Sequence, residues 1–219
     1  MNEDLCMIKA VVFDLDDTLV DSWSRFDGGM LPVLEQAGIP YDREAMIAKM
    51  HPQGVPPTAA LFCEMGVPGT VEEVTARLTE SMRREYAHRI FLMPGVRAYL
   101  ERLRAQGIPM YILTASPHHI TDPCLGNNGV FDWFAAVWTV EDYGLTKAQP
   151  ELFRQVVERV GVPAGEILYI DDSPTAIGNA AAAGMQVCGV LCPHTPDNAA
   201  RIPTLTDRYI TSFEQLAEE

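Results

Sequence analysis

Two carboxylates spaced two apart, Asp14 and Asp16, close an apolar β-branched run, Val11-Val12-Phe13, and are followed by Thr18. A buried strand tolerates charge only where a metal or a cation offsets it. A strand that brings both carboxylates to its carboxyl end therefore reads as a reaction centre. Three more features end or flank elements of their own. Thr114 closes Tyr111-Ile112-Leu113, and Asp171-Asp172 close Ile167-Leu168-Tyr169-Ile170 directly before a helix start at Ser173-Pro174. Lys147 stands in the loop that precedes a helix opened by Pro150. Singly, each has a bland explanation: a solvated turn, a helix cap, a surface lysine. As an ordered set they describe one chemistry. Four carboxylates gathered at one sheet edge repel, and hard divalent cations such as Mg²⁺ bind oxygen ligands of this kind. Lys147 and the Ser173–Thr175 helix start add positive potential, and Thr114 adds a neutral donor. That is equipment for holding a phosphoryl group beside a metal.

The elements that must position these residues follow an alternating pattern. Ile8–Phe13, Met110–Thr114, Ala135–Val140, Glu166–Ile170 and Gln186–Leu191 read as buried strands, with Arg208–Ile210 as a short last one. Between them, Pro94 opens a helix with Val96, Tyr99, Leu100 and Leu103 on one face. Pro150 opens another, ended by Gly161, and Ser173-Pro174 opens a third that runs to Gly184. Strands separated by helices predict an α/β protein, with a parallel sheet covered on both faces. Residues 21–90 break the rhythm. They carry helical patterns and no strand, the clearest being Thr70 to Tyr86, where Thr70 and Glu73 make a capping-box pair ahead of a Val71, Val74, Leu78, Met82, Tyr86 stripe. The stretch His51-Pro52-Gln53-Gly54-Val55-Pro56-Pro57 reads as a rigid turn. The expected organisation is a discontinuous core, 1–20 with 91–219, and an inserted helical module at 21–90.

Asp14-Leu15-Asp16-Asp17-Thr18, Thr114, Lys147 and Asp171-Asp172 resemble, in order, the four motifs of the haloacid dehalogenase superfamily. Met93-Pro94-Gly95-Val96 and Ala182-Ala183-Gly184-Met185 are similar to that family's lead-in to the second motif and its ending of the fourth. The resemblance implies a Rossmannoid sheet with an all-helical cap domain inserted after the first motif, of the type found in phosphoglycolate phosphatase and β-phosphoglucomutase relatives. It implies that Asp14 is the nucleophile forming an aspartyl-phosphate and that Asp16 is the acid/base. Mg²⁺ would be held by the Asp14 carboxylate, the Asp16 backbone carbonyl and one or both of Asp171 and Asp172. Thr114, Ala115 and Lys147 would hold the phosphoryl oxygens. Relatives that attack carbon lack an Asp at position 16, and phosphonatase relatives carry Ala there. Its retention therefore implies phosphoester chemistry, by a phosphatase or alternatively a sugar-phosphate mutase; a non-catalytic phosphometabolite-binding protein is a more remote reading. Two departures stand out. The family's Lys-Pro-x-Pro is Lys147-Ala148-Gln149-Pro150 here, a loss of at most about 1 kcal/mol of loop restriction. Ala176 stands where many relatives have a further acidic residue.

Composition bounds the partners. Of 219 residues 47% are hydrophobic, enough for a sizeable core, and the net charge of −14 argues against nucleic acid or an anionic membrane surface. No apolar leader or membrane-length apolar run occurs, so a cytoplasmic protein acting on a small phosphorylated metabolite is expected, as a monomer or homodimer. The five cysteines, Cys6, Cys63, Cys124, Cys188 and Cys192, are scattered and predict free thiols. His118-His119 read as an exposed helix start. Phe131, Trp133, Phe134 and Trp138 read as core around the third strand, and Arg25 as either a substrate contact or surface.

Overall fold

The computed structural model describes residues 8–50 and 54–217. Six strands, β1 (Ala10–Phe13), β2 (Met110–Thr114), β3 (Ala136–Thr139), β4 (Ile167–Asp171), β5 (Gln186–Val190) and β6 (Tyr209–Ile210), form one sheet in the order β3-β2-β1-β4-β5-β6. Every pairing is parallel. β1 lies at the point where the strand order reverses. In open α/β sheets the crevice outside the carboxyl ends of the strands at that point is where ligands bind. Four helices, α1 (Trp23–Gln36), α2 (Arg43–Met50), α3 (Val55–Glu64) and α4 (Val71–His88), follow β1; six more accompany the later strands: α5 (Val96–Ala105), α6 (His118–Asn127), α7 (Pro150–Val160), α8 (Pro174–Ala182), α9 (Pro196–Arg201) and α10 (Glu214–Ala217). The chain divides into two compact units, Met1–Asp21 with Phe91–Glu219, and Ser22–Ile90.

Strand alternation sorts the core into two layers. Ala10 and Val12 of β1, with Ile167 and Tyr169 of β4, join Leu152, Phe153 and Val156 of α7 and Ile177 and Ala180 of α8 in one buried cluster. The opposite face of β1 carries Phe13, whose ring packs against Tyr99, Phe134 and Phe213 at centroid distances of 6.1, 6.4 and 6.4 Å. The helices start and stop where their chemistry dictates. Ser173 caps α8, and Pro150 and Pro174 occupy first-turn positions where a missing N–H costs nothing. Gly161 takes the left-handed conformation that ends α7. In the helical unit the Thr70–Glu73 capping box opens α4, which packs on α1 and α3. A Cβ at Gly29 of α1 would overlap the Met82 side chain of α4, so the glycine sets how closely the two helices approach.

Three sequence expectations are corrected. Val55-Pro56-Pro57 is not a turn but the first turn of α3, capped by Gly54 at φ +73°; the two prolines suit a helix start as well as they suit a bend. His51–Gln53 lie outside the described residues, as does Cys6. Among Phe131, Trp133, Phe134 and Trp138 only Phe134 is buried. β3 is an edge strand with one neighbour, so Trp138 stacks on Tyr111 at 4.9 Å while Arg104 and Arg97 lie over the Trp133 ring. Val71 is 45% exposed, and Glu85 is buried on α4 instead. Cys63, Cys124 and Cys192 are free thiols. No helix among the described residues is long and apolar enough to cross a membrane.

Gly95 caps α5 at φ +79°, and a Cβ there would overlap the backbone of Phe213 and Glu214 at the start of α10. Gly107 has a similar φ of +69° with open space around it. Gly107→Ala is expected to cost about 1 kcal/mol, the left-handed penalty alone, and Gly95→Ala at least about 2 kcal/mol more, because backbone must move. Urea unfolding of the two variants checks this; equal losses would contradict the close packing of α10 on α5.

Candidate active site

The site grows from the ends of β1 and β4. Phe13 pairs in register with Ile170, so Asp14 falls level with Asp171, and the Asp14 amide donates to the Ile170 carbonyl at 2.9 Å. Alternation places Asp14 on the face of Ala10 and Val12, and Asp171 on the face of Ile167 and Tyr169, which is the α7/α8 side of the sheet. Both carboxylates thus emerge from the same layer, side by side. Beyond Asp14 the chain turns tightly. The Leu15 carbonyl accepts from the amides of Leu19 (2.9 Å) and Val20 (3.1 Å), and Asp17 stands at φ +54°, a conformation that Asp tolerates better than most residues. The turn directs Asp16 towards the end of β2.

Lys147 joins the two strands. Its ammonium donates to Asp14 Oδ1 and to Asp171 Oδ2, the latter at 2.8 Å, with the lysine side chain 14% exposed and those of Asp14 and Asp171 at 7% and 1%. Asp171 takes three donors: Oδ2 also accepts from the Tyr169 hydroxyl, and Oδ1 accepts from the Ser173 amide at 2.6 Å. The loop carrying Lys147 is pinned although Ala148 replaces the family's proline. Asn179 of α8 donates to the Lys147 carbonyl at 2.9 Å, and Gln149 Oε1 accepts from the Thr146 amide at 2.8 Å. Ala176 is fully buried beneath this point and contributes no further carboxylate.

Asp14, Asp171 and Asp172 offer oxygens that all lie within 4.8 Å of one another. One ammonium faces three carboxylates, and the balance shows in their proton affinities. Burial pushes Asp14 up to about 8 against the pull of Lys147, with Asp171 and Asp16 adding to the rise. Burial and the charges of Asp171, Asp14 and Asp17 push Asp172 to about 9. Burial alone would lower Lys147, but Asp14 and Asp171 outweigh it and hold the lysine above its ordinary value. An all-oxygen donor set short of positive charge fits a hard divalent cation such as Mg²⁺. Since three donors already occupy Asp171, Asp172 and Asp14 are the better placed to ligate. A second grouping, Asp17 with Asp172 and Cys192, includes a thiol, a poor match for such an ion.

The second motif closes the site from β2. Thr114 is fully buried, and its Oγ1 accepts from the Ser116 amide at 3.0 Å, which leaves its own hydroxyl proton to donate. Ala115 is exposed and has only its backbone to offer. Ser116 Oγ donates to Asp16 Oδ2 at 2.6 Å, linking the first motif to the second. His118, expected as a plain exposed helix start, bridges Asp122 (3.1 Å) and Asp142 (3.0 Å), and these contacts raise its pKa, the Asp122 bond most. Arg25 is exposed in the first turns of α1. Reasoning from sequence missed Ser116, Tyr169 and Asn179. Tyr169 had a readable signal, because a polar tip two residues before Asp171 on the same strand face needs a partner. Asn179 and Ser116 had none, since their partners are set by tertiary contact.

The acidic, lysine-bridged centre thus lies at the carboxyl edge of a parallel α/β sheet, beside its switch point, where open α/β sheets bind their ligands. A family model for haloacid dehalogenase-like hydrolases matches residues 8–184. The chain belongs to the haloacid dehalogenase-like hydrolases. It is 29% identical to the phosphoglycolate phosphatase of Yersinia pseudotuberculosis over 191 residues, 84% of this chain and 81% of that protein. Its fold is similar to that of a β-phosphoglucomutase candidate from Thermotoga maritima, with a TM-score of 0.81 at 21% identity over 96% of this chain and 97% of the other. A HAD-hydrolase candidate from Bacillus subtilis, bound to magnesium, gives a TM-score of 0.78 at 24% identity over 96% and 97%.

The raised carboxylates give metal-free protein an unusual pH dependence. Folded-state values of about 8 and about 9 lie above the ordinary 3.8, so the folded protein holds these protons more tightly than the unfolded chain. Their contribution is complete below about pH 4 and is lost as pH rises through about 8 to 9. In EDTA, wild-type stability should therefore fall between pH 5.5 and 8.5 relative to Asp172→Asn. Urea midpoints at three pH values test this, and parallel curves for the two proteins would refute it.

Proposed function

We propose that this protein is a Mg²⁺-dependent phosphatase that hydrolyses a small phosphorylated metabolite through an aspartyl-phosphate on Asp14. The observation that carries the reading is the Lys147 bridge between Asp14 and Asp171 with Asp172 alongside. It presents a buried, oriented carboxylate in an acidic cluster suited to a metal and still offers an ammonium. When bound, Mg²⁺ would supply positive charge against which a phosphoryl oxygen and the Asp14 carboxylate can approach. Asp14, Asp172 and the Asp16 carbonyl would hold it, with Asp171 steering Lys147.

An oxygen of Asp14 attacks phosphorus, and the bond from phosphorus to the substrate oxygen breaks. Asp16 gives its proton to that oxygen, then takes one from the water that attacks the aspartyl-phosphate and releases phosphate. Thr114 Oγ1, the Ala115 amide and Lys147 donate to the phosphoryl oxygens, with no reorganisation required of groups already fixed by Ser116, Asn179 and Asp171. The helical unit, residues 22–90, acts as the cap that selects the substrate. The relatives' names make phosphoglycolate the first substrate to try. The likeness to the Thermotoga maritima protein supports a second reading, a sugar-phosphate mutase, since Asp16 serves either reaction.

The test is phosphate release from p-nitrophenyl phosphate, phosphoglycolate and sugar phosphates. EDTA should abolish turnover and Mg²⁺ should restore it. Asp14→Asn should leave less than about one part in 10³ of the rate, consistent with loss of a covalent nucleophile. Isomerisation of a sugar 1-phosphate primed by a bisphosphate, without net phosphate release, would favour the mutase. Full activity in EDTA or in Asp14→Asn would overturn both.

A further inference from the structure

We infer that Ser116 is the positioning residue for proton transfer by Asp16, an assignment that rests on the acid/base role proposed above for Asp16. The hydroxyl donates to Asp16 Oδ2 at 2.6 Å across 100 residues of sequence. That length lies within the ordinary range for a hydroxyl-to-oxygen hydrogen bond. Asp16 is half-buried on the turn beyond β1. A general acid must keep its oxygen within hydrogen-bond reach of the leaving group while the bond to phosphorus breaks.

Ser116 can fix Asp16 because it is fixed itself. Its amide donates to Oγ1 of the fully buried Thr114 at 3.0 Å, and its carbonyl accepts from Oγ1 of the fully buried Thr121 at 3.1 Å. Pro117 follows as the N-cap of α6. The next residue, His118, ties the start of α6 to Asp142, beyond the end of β3. The hydroxyl is therefore mounted on a segment held at both backbone groups and at the helix that follows. Thr114 serves two ends at once, because the lone pair that orders Ser116 belongs to the hydroxyl proposed to donate to the phosphoryl group. A single short segment thus registers the phosphoryl group and the proton donor relative to each other.

The consequence is a dependence on the leaving group. Phosphoryl transfer to Asp14 from p-nitrophenyl phosphate expels a weakly basic phenolate that needs no acid, whereas transfer from phenyl phosphate or an alkyl phosphate does. The experiment measures kcat/KM for a series of substituted phenyl phosphates with wild type, Ser116→Ala, Ser116→Thr and Asp16→Asn. Ser116→Ala should lose tenfold or more on phenyl phosphate and less than about threefold on p-nitrophenyl phosphate, a steeper dependence on leaving-group basicity. Ser116→Thr, which keeps the hydroxyl, should restore the wild-type slope. Equal losses across the series, or no loss at all, would overturn the inference, the first marking a merely structural or phosphate-binding serine. Asp16→Asn separates the two readings. If it steepens the dependence and Ser116→Ala does not, only the positioning role fails. If Asp16→Asn leaves the slope unchanged, the acid role itself fails. Should Ser116→Ala be unfolded by circular dichroism, Ser116→Cys takes its place, with the same outcomes required.

Discussion

The ammonium of Lys147, held between Asp14 and Asp171, is the interaction on which the rest of the site depends. Parallel register alone forces the two carboxylates together: Phe13 pairs with Ile170, so the next residue of each strand arrives level and on the same face. Without a counter-charge in a layer this buried, removing water from both would cost several kcal/mol for each ion. The lysine lessens that cost without cancelling it. Three carboxylates remain against one ammonium, and the raised proton affinities of Asp14 and Asp172 are the measure of what is left over. A site so balanced is expected to hold protons when empty and to exchange them for a divalent cation when one binds.

Precision in this centre comes from neighbours of the reacting groups. Lys147 points where it does because Asn179 of α8 holds its carbonyl and Gln149 closes its loop. Asp171 points where it does because the Tyr169 hydroxyl and the Ser173 amide fix both of its oxygens. α8 therefore works three ways: it covers the sheet, it caps the acidic strand through Ser173, and it reaches over to the lysine loop. Donors fixed before the reaction need no reordering as charge develops, which is where electrostatic stabilisation is worth most.

The framework was legible in the sequence where local chemistry decides local structure. Met110–Thr114 is the strand read from its apolar run, and the Thr70–Glu73 box, Ser173-Pro174 and Gly161 mark helix ends as read. The order of Asp14, Asp16, Thr114, Lys147 and Asp171-Asp172 was legible because each ends or flanks its own element. Legibility failed where one signal serves two structures or where the partner is distant. Pro56 and Pro57 suit a bend and a helix start alike, and only the chain after them decides. The aromatic residues around β3 promised burial, but burial depends on a strand's place in the sheet, and an edge strand leaves Trp138 half-covered. The bond from Ser116 to Asp16 spans 100 residues and leaves no trace in spacing.

The carboxylate cluster is expected to trade protons for a divalent cation. Isothermal titration of the metal-free protein with Mg²⁺ at pH 7, repeated in two buffers of different ionisation enthalpy, counts the protons released on binding. With Asp14 raised to about 8 and Asp172 to about 9, about one proton or more should be released per Mg²⁺ bound, and clearly fewer in Asp172→Asn. Binding of Mg²⁺ with no buffer-dependent heat would show that these carboxylates are already ionised beside Lys147, and would contradict it.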